Sequence, residues 1–549
     1  MRVARREFLK VLGGASLASL LPAAAFALPG ESRRAPFRRL YSSDTTNILT
    51  CVSPWHAEGA PLAAPMFDAV VDEAAAAGAD AFLLQPGLGW VPWWPSRVLP
   101  LSEHVAWFRQ HFHFPKADNP YLRFVLNGGD FVKQTVDRCH AKGMAAFISY
   151  RLNDAHGKDK AATPSPGHID SLPRFYADHP EYLLGAQPAE TQAAWAKDLQ
   201  NWAIPAVRDF KFALIQELCR NYDLDGLELD FERAPYYFRL RETDAAQRRQ
   251  IMTEFVARVR RCLDETARRR GGRRRWLSVR VPALRVLHDP MGIDCAAMAA
   301  AGADMFDLST YAHTEQRNDL AEIRRQVPGA AVYQEMTQIA SFNNRPTGRS
   351  QRRMTPEMYA TTAHLAYAGG ADGVALFNFQ YYRDYRDAGQ PADPPYTEPP
   401  FQIVRPQGDP ARVAEFPQFY FIGLPYNSDP RRPYIFPKEP KLGEPFTVTL
   451  GMAPPVGGWR RCGRLRIQAE HPFGPGEWEA HLNGTPLTWT PDVAEPYPSV
   501  YRQLTGTPEE HRAWHVPAAL AREGENRIDI TLKHGATANL VWLDLSMPD

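Results

Sequence analysis

Short apolar runs alternate with longer amphipathic stretches over the first two thirds of the chain. The runs predict eight strands, at Ile48–Ser53, Ala81–Gln85, Ala145–Tyr150, Gly226–Phe231, Leu277–Val281, Met305–Thr310, Ala331–Gln334 and Val374–Phe379. Helical periodicity lies between them, over Pro65–Ala77, Phe131–Lys142, Pro205–Asn221, Ala245–Arg269, Ile293–Ala301, Asp319–Gln326 and Pro356–Ala368. Such alternation produces parallel βαβ units, and eight of them close a (β/α)8 TIM barrel. An open doubly wound sheet is the competing fold, but no glycine-rich nucleotide-binding turn follows the first strand, so we predict the barrel.

The alternation stops after Arg383, and residues 384–440 hold 13 of the 49 prolines of the chain. Proline breaks helices and cannot donate to a strand ladder, so this stretch predicts a connecting or wrapping segment. From Lys441, short alternating runs separated by turn residues predict an all-β sandwich similar to a jelly roll. We therefore divide the chain into an N-terminal linker at 28–46, a barrel at 47–390, a connecting segment at 391–440 and a sandwich at 441–549.

The first 27 residues have the pattern of an export signal. Arg5-Arg6-Glu7-Phe8-Leu9-Lys10 precedes a weakly apolar stretch, and Ala25-Phe26-Ala27 offers a cleavage site. This pattern predicts a twin-arginine signal peptide, with a chance arginine pair in an ordinary secretory signal as the alternative. We therefore expect a bacterial protein that the twin-arginine translocase exports to the periplasm or beyond the cell.

Composition excludes several kinds of partner and site. Lys+Arg 63 against Asp+Glu 62 lacks the basic excess of a nucleic-acid-binding protein, and no apolar run is long enough to span a bilayer. The six cysteines lie far apart without a Cys-x-x-Cys pair, so we expect buried free thiols rather than a disulfide framework or a zinc site. No sequence feature implies a nucleotide, a flavin or another cofactor.

The fourth predicted strand is unusually acidic. Side chains alternate along a strand, so Glu228, Asp230 and Glu232 share one face, while the positions between them are apolar. In a central barrel strand the apolar face packs on helices and the acidic face points into the barrel. Crowded carboxylates raise the pKa of at least one of them, as a general acid requires. The structural alternative is a solvated edge strand, or a salt-bridge ladder with Arg233 and Arg280.

The segment Asp225-Gly226-Leu227-Glu228-Leu229-Asp230-Phe231-Glu232 resembles the fourth-strand signature of glycoside hydrolase family 18, which ends in Asp-x-Asp-x-Glu. The resemblance implies that Glu232 is the general acid and that Asp230 orients a substrate N-acetyl group. This sequence departs from the family at Glu228, which replaces an Asp, after Tyr311, where an Asp is missing, and at the eighth strand, which lacks a Trp.

More broadly, the chain resembles uncharacterised secreted bacterial proteins described as glycosyl-hydrolase-like. The resemblance is carried by Asp225–Arg233, Arg151-Leu152-Asn153-Asp154-Ala155-His156 and His179-Pro180-Glu181-Tyr182-Leu183-Leu184-Gly185, and it is best over about residues 140–240. It implies a barrel fold and hydrolytic chemistry on glycosides.

Glu335 directly follows the seventh predicted strand. In the largest clan of retaining barrel glycosidases the nucleophile lies at this point and the acid/base follows the fourth strand. Glu335 is therefore a candidate nucleophile opposite Glu232 or Asp230, and a salt bridge with a nearby arginine is its alternative role.

Polar and aromatic residues follow the other strands, where a barrel builds its site. The candidates for substrate binding, besides Glu228, are His56, Trp90, Trp93, Asn153, Asp154, His156, Tyr311, His313, Asn378, Gln380 and Tyr381. Local turn capping is the alternative for Asn153 and Asp154, a hydrogen-bonded structural role for His56, and core packing for the two tryptophans.

These residues together predict a glycoside hydrolase that works by carboxylate acid/base catalysis. Two other classes stay open at this stage. A non-catalytic glycan-binding barrel would use the same residues without turnover, and a metal-dependent hydrolase would use Asp154 and His156 as ligands.

Overall fold

The computed structural model describes residues 34–112, 119–156, 169–343, 350–383, 398–426, 429–497 and 505–548. The predicted signal peptide lies outside these ranges, and export therefore stays a prediction. Within the described ranges, no helix combines the length and the apolar character that crossing a bilayer requires.

Eight parallel strands close a barrel, which confirms the predicted fold class. The first seven are β1 (Arg39–Asp44), β2 (Ala81–Gln85), β3 (Ala145–Arg151), β4 (Gly226–Asp230), β5 (Trp276–Pro282), β6 (Met305–Ser309) and β7 (Ala331–Thr337). An antiparallel hairpin, β8 (Ile339–Asn343) with β9 (Ser350–Arg353), follows β7. The eighth barrel strand, β10 (Gly373–Phe377), then pairs with both β7 and β1 and closes the ring.

The predicted first strand at Ile48–Ser53 is wrong. β1 lies earlier, inside the stretch predicted as linker, and Asn47–Thr50 forms the short helix α1 instead. β1 reads Arg-Leu-Tyr-Ser-Ser-Asp, and its two serines are buried in the barrel together with Leu40 and Tyr41. Because two of its four buried residues are serines, the strand lacks the apolar run on which the prediction depended.

Helices surround the barrel at the positions that periodicity predicted, with further short helices in the loops. They are α2 (Ala64–Ala77), α3 (Leu101–His111), α4 (Pro120–Leu126), α5 (Phe131–Ala141), α6 (Arg174–Asp178), α7 (Pro205–Asn221), α8 (Ala245–Arg269), α9 (His288–Met291), α10 (Cys295–Ala300), α11 (Leu320–Gln326), α12 (Pro356–Ala368) and α13 (Pro410–Val413). The longest, α8, begins at a capping box, in which Asp244 and Gln247 satisfy each other's backbone N–H groups.

Two antiparallel sheets follow the barrel and share one apolar core. Their strands are β11 (Gln418–Ile422), β12 (Pro445–Met452), β13 (Gly463–Ala469), β14 (Gly476–Leu482), β15 (Thr485–Pro486), β16 (Thr488–Thr490), β17 (His511–Val516), β18 (Gly524–Gly535) and β19 (Leu540–Met547). The five-stranded sheet has the order β11-β19-β13-β17-β16, and the four-stranded sheet has the order β12-β18-β14-β15.

The proline-rich segment joins barrel and sandwich through paired structure. Its strand β11 forms the edge of the five-stranded sheet, and the N–H of Phe419 also donates to Oγ1 of Thr361 on α12 at 2.8 Å. Gln316, which follows β6, accepts from the N–H of Phe421 at 2.9 Å. These bonds hold the segment against the barrel, so its residues are available to form part of a site there.

We expect the replacement Gly373→Ala to destabilise the barrel. A Cβ at this position would lie 2.4 Å from the carbonyl oxygen of Arg38, at the seam where β10 meets β1. Relieving the clash must shift backbone at the closure of the barrel, at a cost of about 1–3 kcal/mol. Urea unfolding measures the loss.

Gly329→Ala is the matched control, because a Cβ there meets no atom within 4 Å. Equal midpoints for Gly373→Ala and the wild type would contradict the account of the seam.

Candidate active site

A recess of about 480 Å³, open solvent at its entrance included, lies at the carboxyl ends of β4, β5 and β6. We call it the mouth pocket. Its lining combines the loops after those strands, the loop that precedes α7, and the proline-rich segment: Trp195, Glu232, Pro235, Tyr236, Leu287, Thr310, Tyr311, His313, Tyr426, Asp429, Arg432 and Tyr434. The pocket therefore occupies one side of the barrel mouth, and the proline-rich segment forms one of its walls.

Glu232 is the acidic residue of the β4 motif that reaches the mouth pocket. Its side chain is only 2% exposed, and among the described residues its Oε2 has no hydrogen-bond partner. Burial raises the pKa of Glu232 to about 8, against the opposing charges of Arg280 and Arg432. At neutral pH this carboxyl therefore holds a proton that it can give to a bound molecule.

Asp230 lies two residues before Glu232 in the chain. Its Oδ1 accepts hydrogen bonds from three N–H groups. They are the backbone N–H groups of Glu232 and Arg233, at 2.9 and 3.0 Å, and Nη1 of Arg280, at 2.8 Å. Three donors at one oxygen fix the position of this carboxyl. Its other oxygen, Oδ2, has no partner among the described residues and stays available as an acceptor.

Glu335 is tied to the same guanidinium. Its Oε2 accepts from Nε of Arg280 at 2.5 Å, and its Oε1 accepts from Nη2 of Arg280 at 2.7 Å and from Oγ of Ser309 at 2.6 Å. Arg280 itself is fully buried. This geometry matches the alternative that the sequence left open for Glu335, a salt bridge with an arginine at the mouth.

Glu228 lies deeper in the barrel than the other acidic residues of β4. It accepts from Oγ of Ser149 at 2.7 Å and from Oγ of Ser278 at 3.0 Å, and burial raises its pKa to about 7. Asp307 on β6 is also fully buried, and burial together with the nearby carboxylates of Glu335 and Glu228 raises its pKa well above the usual range. The sequence analysis missed Asp307, because a single acid in the run Met-Phe-Asp-Leu-Ser carries no motif.

A second buried arginine, Arg151 at the end of β3, organises the opposite side of the mouth. Its Nη2 donates to Oδ1 of Asp44 at 2.6 Å and to Oε1 of Gln85 at 2.9 Å, and its Nη1 donates to Oδ2 of Asp154 at 3.3 Å. Burial opposes the charge of Asp154, but His156, Arg151 and Arg233 hold the pKa of Asp154 well below its usual range.

A chain of contacts connects Asp154 to the mouth pocket. Nδ1 of His156 lies 2.6 Å from Oδ1 of Asp154, and Nε2 of His156 lies 2.7 Å from Nη2 of Arg233. Arg233 also donates to the hydroxyl of Tyr311, which lines the pocket. The predicted residues Asp154 and His156 thus act on the pocket through Arg233, since neither of them lines it.

Tyr311 and His313, both predicted from the sequence, lie in the pocket wall after β6. Tyr311 has a φ of 73°, in the left-handed region that non-glycine residues rarely adopt, and its N–H donates to Oγ of Ser309 at 2.9 Å. His313 is buried, and both burial and the charge of Arg432 lower its pKa well below the usual value. His313 is therefore neutral at physiological pH.

Asn153 and His56, both predicted to bind substrate, stabilise the scaffold instead. Asn153 is fully buried and donates to the carbonyl oxygens of Gln200 and Tyr236, both at 3.0 Å. The ring of His56 lies 2.7 Å from the carbonyl oxygen of Ile48 and 3.0 Å from that of Ala57.

Trp90 and Trp93 are 0% and 1% exposed, which corrects the expectation of two surface rings that stack on a sugar. Nζ of Lys211 lies 3.7 Å from the ring of Trp90, and Trp93 stacks on Tyr121 with 4.7 Å between the ring centroids. These contacts anchor the insertion after β2 to the body of the barrel.

Asn378, Gln380 and Tyr381 tie the ends of β10 and β1 together. Oδ1 of Asn378 accepts from the N–H of Asp44 at 3.0 Å, and Oε1 of Gln380 accepts from Nδ2 of Asn47 at 3.0 Å. The hydroxyl of Tyr381 lies 3.5 Å from that of Thr46. The three residues are close to the mouth, but they are not part of the lining of the mouth pocket.

Only three of the twelve lining residues, Glu232, Tyr311 and His313, were candidates from the sequence. Among the missed residues, Tyr426, Asp429, Arg432 and Tyr434 belong to the proline-rich segment, Trp195 belongs to a short 3-10 helix and Tyr236 belongs to an irregular loop. None of these segments has a periodicity that predicts its place, because tertiary contacts alone bring them to the mouth. The one local signal was the density of aromatic and arginine residues at 426–434.

The described residues contain no group of three or more His, Cys, Asp and Glu side chains arranged to hold a metal ion. Asp154 and His156, the ligands of the metal-dependent alternative, are bonded to each other and to arginines.

No protein-family model matches this chain, and no curated protein matches it by sequence. Solved structures that resemble it include an alpha-L-fucosidase from Bacteroides thetaiotaomicron, at 12% identity over 91% of this chain and 94% of that chain, with a TM-score of 0.35. Catalytic domain 2 of the Ostrinia furnacalis Group II chitinase has 10% identity over 68% and 96%, with a TM-score of 0.37.

Alpha-L-fucosidase isoenzyme 2 from Paenibacillus thiaminolyticus has 14% identity over 69% of this chain and 49% of that chain, with a TM-score of 0.39. All three are glycoside hydrolases. At these identities and TM-scores, the likeness does not say what this chain binds or cleaves.

We expect Glu232→Gln to become more stable relative to the wild type as the pH rises. Burial raises the pKa of Glu232 from its ordinary value of 4.5 to about 8, so the folded protein binds this proton more tightly than the unfolded chain. The resulting contribution to stability is present below pH 4.5 and is lost progressively as the pH rises towards 8. Glutamine cannot ionise, so the free energy of unfolding of the variant does not fall with pH for this reason.

Urea unfolding at intervals between pH 5 and pH 9 measures the difference. The exposed Glu525→Gln serves as the control, for which the difference from wild type should not change with pH. A difference for Glu232→Gln that is independent of pH would contradict the raised pKa.

Proposed function

We propose that this protein is a glycoside hydrolase in which Glu232 is the general acid. The observation that carries the proposal is a carboxyl that lines a pocket at the carboxyl ends of barrel strands, is buried, and has its pKa raised to about 8. A carboxyl that is protonated at neutral pH is what cleavage of a glycosidic bond requires, since the leaving oxygen must receive a proton.

In the proposed reaction the proton of Glu232 passes to the glycosidic oxygen as the bond from that oxygen to the anomeric carbon breaks. The leaving sugar or aglycone departs as a neutral alcohol, and positive charge develops on the remaining ring. Water then attacks the anomeric carbon, and the carboxylate of Glu232 accepts a proton. The overall change is the addition of one water molecule across the bond.

Asp230 is the group that we propose stabilises the positive ring, directly or by orienting a group of the substrate. Its Oδ2 lacks a partner among the described residues, and Arg280 and two backbone N–H groups fix its Oδ1. We propose that Glu335 holds Arg280 in place, since both of its oxygens are engaged by Arg280 and Ser309.

Aromatic side chains provide the proposed sugar-binding surface. Trp195 and Tyr426 are each 42% exposed, which is more than the other large apolar and aromatic residues of the pocket lining. The C–H faces of a sugar ring pack well on such rings. These two residues take the role that the sequence analysis assigned to Trp90 and Trp93.

We expect Glu232→Gln to lower kcat/KM on a cleaved glycoside by about 10²–10⁴-fold while binding is retained, because the amide cannot donate the proton. The wild-type kcat/KM should fall as the pH rises through about 8, where Glu232 loses its proton. Hydrolysis of a broad panel of aryl glycosides and oligosaccharides, with binding followed separately by calorimetry, measures both.

The exposed Glu190→Gln is the control variant and should match the wild type. If wild type and Glu232→Gln bind glycan but are equally inert, the protein is a non-catalytic glycan-binding barrel. Loss of activity after treatment with a chelator would favour the metal-dependent alternative at Asp154 and His156.

We also propose that the enzyme works outside the cytoplasm after export through the twin-arginine pathway, on the strength of the signal pattern at 1–27. The pair Arg5→Lys and Arg6→Lys should retain the protein in the cytoplasm, because the translocase recognises the arginine pair. Fractionation of cells that produce the wild type and the double variant measures this. Equal amounts of both proteins in the exported fraction would contradict the proposed route.

A further inference from the structure

The charges in the wall of the mouth pocket are already paired within the protein. Asp429 accepts from Nε and Nη2 of Arg431 at 2.9 and 2.6 Å. Arg432 is bonded to Glu315, a carboxylate that lies behind the pocket wall and is not part of the lining. Among the described lining residues, one anion and one cation therefore each meet an opposite charge before a ligand arrives.

Glu232 and His313, the other acidic and basic side chains of the lining, are neutral at physiological pH. Burial raises the pKa of Glu232 to about 8, and burial lowers the pKa of His313 well below its usual value. Five of the remaining lining residues are aromatic, namely Trp195, Tyr236, Tyr311, Tyr426 and Tyr434.

The charges next to the pocket do not favour an anion. Beneath Glu232, the carboxylates of Asp230 and Glu335 share the single guanidinium of Arg280. Arg280 is therefore engaged within the protein and is not a free cation for an anionic ligand.

We propose that the mouth pocket selects an uncharged sugar ring and that Glu315 determines this preference by neutralising Arg432. The inference rests on the proposed function, because it concerns the substrate of the same pocket. Without Glu315, Arg432 would present an uncompensated cation to the ligand, and an acidic sugar such as a uronide would be recognised. With Glu315 in place, a carboxylate on the sugar loses its hydration and gains no free cation in return.

Glu315 is suited to this role by its position. Its Oε1 accepts from Nε of Arg317 at 2.9 Å, and its Oε2 faces Arg432. Arg317 is about one third exposed, whereas the side chain of Arg432 is only 6% exposed. Solvent therefore screens the charge of Arg317, and the charge of Arg432 depends on Glu315.

The test measures binding of matched pairs in the Glu232→Gln background, in which turnover is removed. Each pair consists of the methyl glycoside of glucose, galactose or mannose and the methyl glycoside of the corresponding uronic acid with a free carboxylate, in both anomers. Binding is titrated by saturation-transfer NMR at constant ionic strength. We expect the neutral member of every pair that binds to bind at least about tenfold more tightly.

Adding Glu315→Gln should reduce this preference by about tenfold, because Arg432 is then uncompensated. Glu322→Gln is the matched control: Glu322 pairs with Arg285 and Arg325 on the surface of α11, and its loss should leave the preference unchanged. Arg432→Met should change the preference in the opposite direction to Glu315→Gln, and this second variant decides the question if Glu315→Gln does not fold.

Equal or tighter binding of the uronides in the parent would overturn the inference, as would an unchanged preference in folded Glu315→Gln. Failure of every pair to bind would contradict the proposed glycoside site itself, so the two failures are distinguishable.

Discussion

The buried guanidinium of Arg280 is the interaction on which the arrangement of the active site depends. It joins Asp230 on β4 to Glu335 on β7 across the interior of the barrel, and its side chain is 0% exposed. Removing one partner of such a buried pair costs about 3–5 kcal/mol, because the remaining charge has neither solvent nor a counter-ion. Arg280 thus allows a barrel to keep several carboxyls at one end, and it holds Asp230 next to Glu232.

The hydrogen-bond partners of each carboxyl distinguish Glu232 from the acids that bind Arg280. Asp230 and Glu335 share Arg280, whereas Glu232 receives no direct hydrogen bond from it. Burial then dominates at Glu232 and raises its pKa to about 8. Neighbouring carboxyls of one motif therefore have different surroundings, because Asp230 binds a guanidinium through Oδ1 and Glu232 lines a partly apolar pocket.

Much of the barrel could be predicted from sequence alone, because parallel strands buried on both faces leave apolar runs and amphipathic helices leave a period of 3.6. The motif on β4 also predicted the acidic face correctly as a barrel interior, since Glu228, Asp230 and Glu232 are all buried. The prediction of β1 failed because Ser42 and Ser43 occupy buried positions where the pattern required apolar residues.

The pocket wall was less predictable, for a physical reason. Arg432 and Tyr426 reach the mouth through β11, which pairs with β19 and also bonds barrel residues, and no local pattern encodes those contacts. Trp90 and Trp93 failed in the opposite sense: they were candidates for substrate binding, but they are buried against the cation of Lys211 and the ring of Tyr121.

Infrared difference spectroscopy tests most directly whether Glu232 is protonated at neutral pH. Spectra of the wild type and Glu232→Gln, recorded across the pH range, isolate the carboxyl stretch of this one side chain. We expect a protonated-carboxyl band that is present at pH 6, is lost as the pH rises through about 8, and is absent from the variant. A band that titrates near the ordinary glutamate value of 4.5 would contradict this expectation.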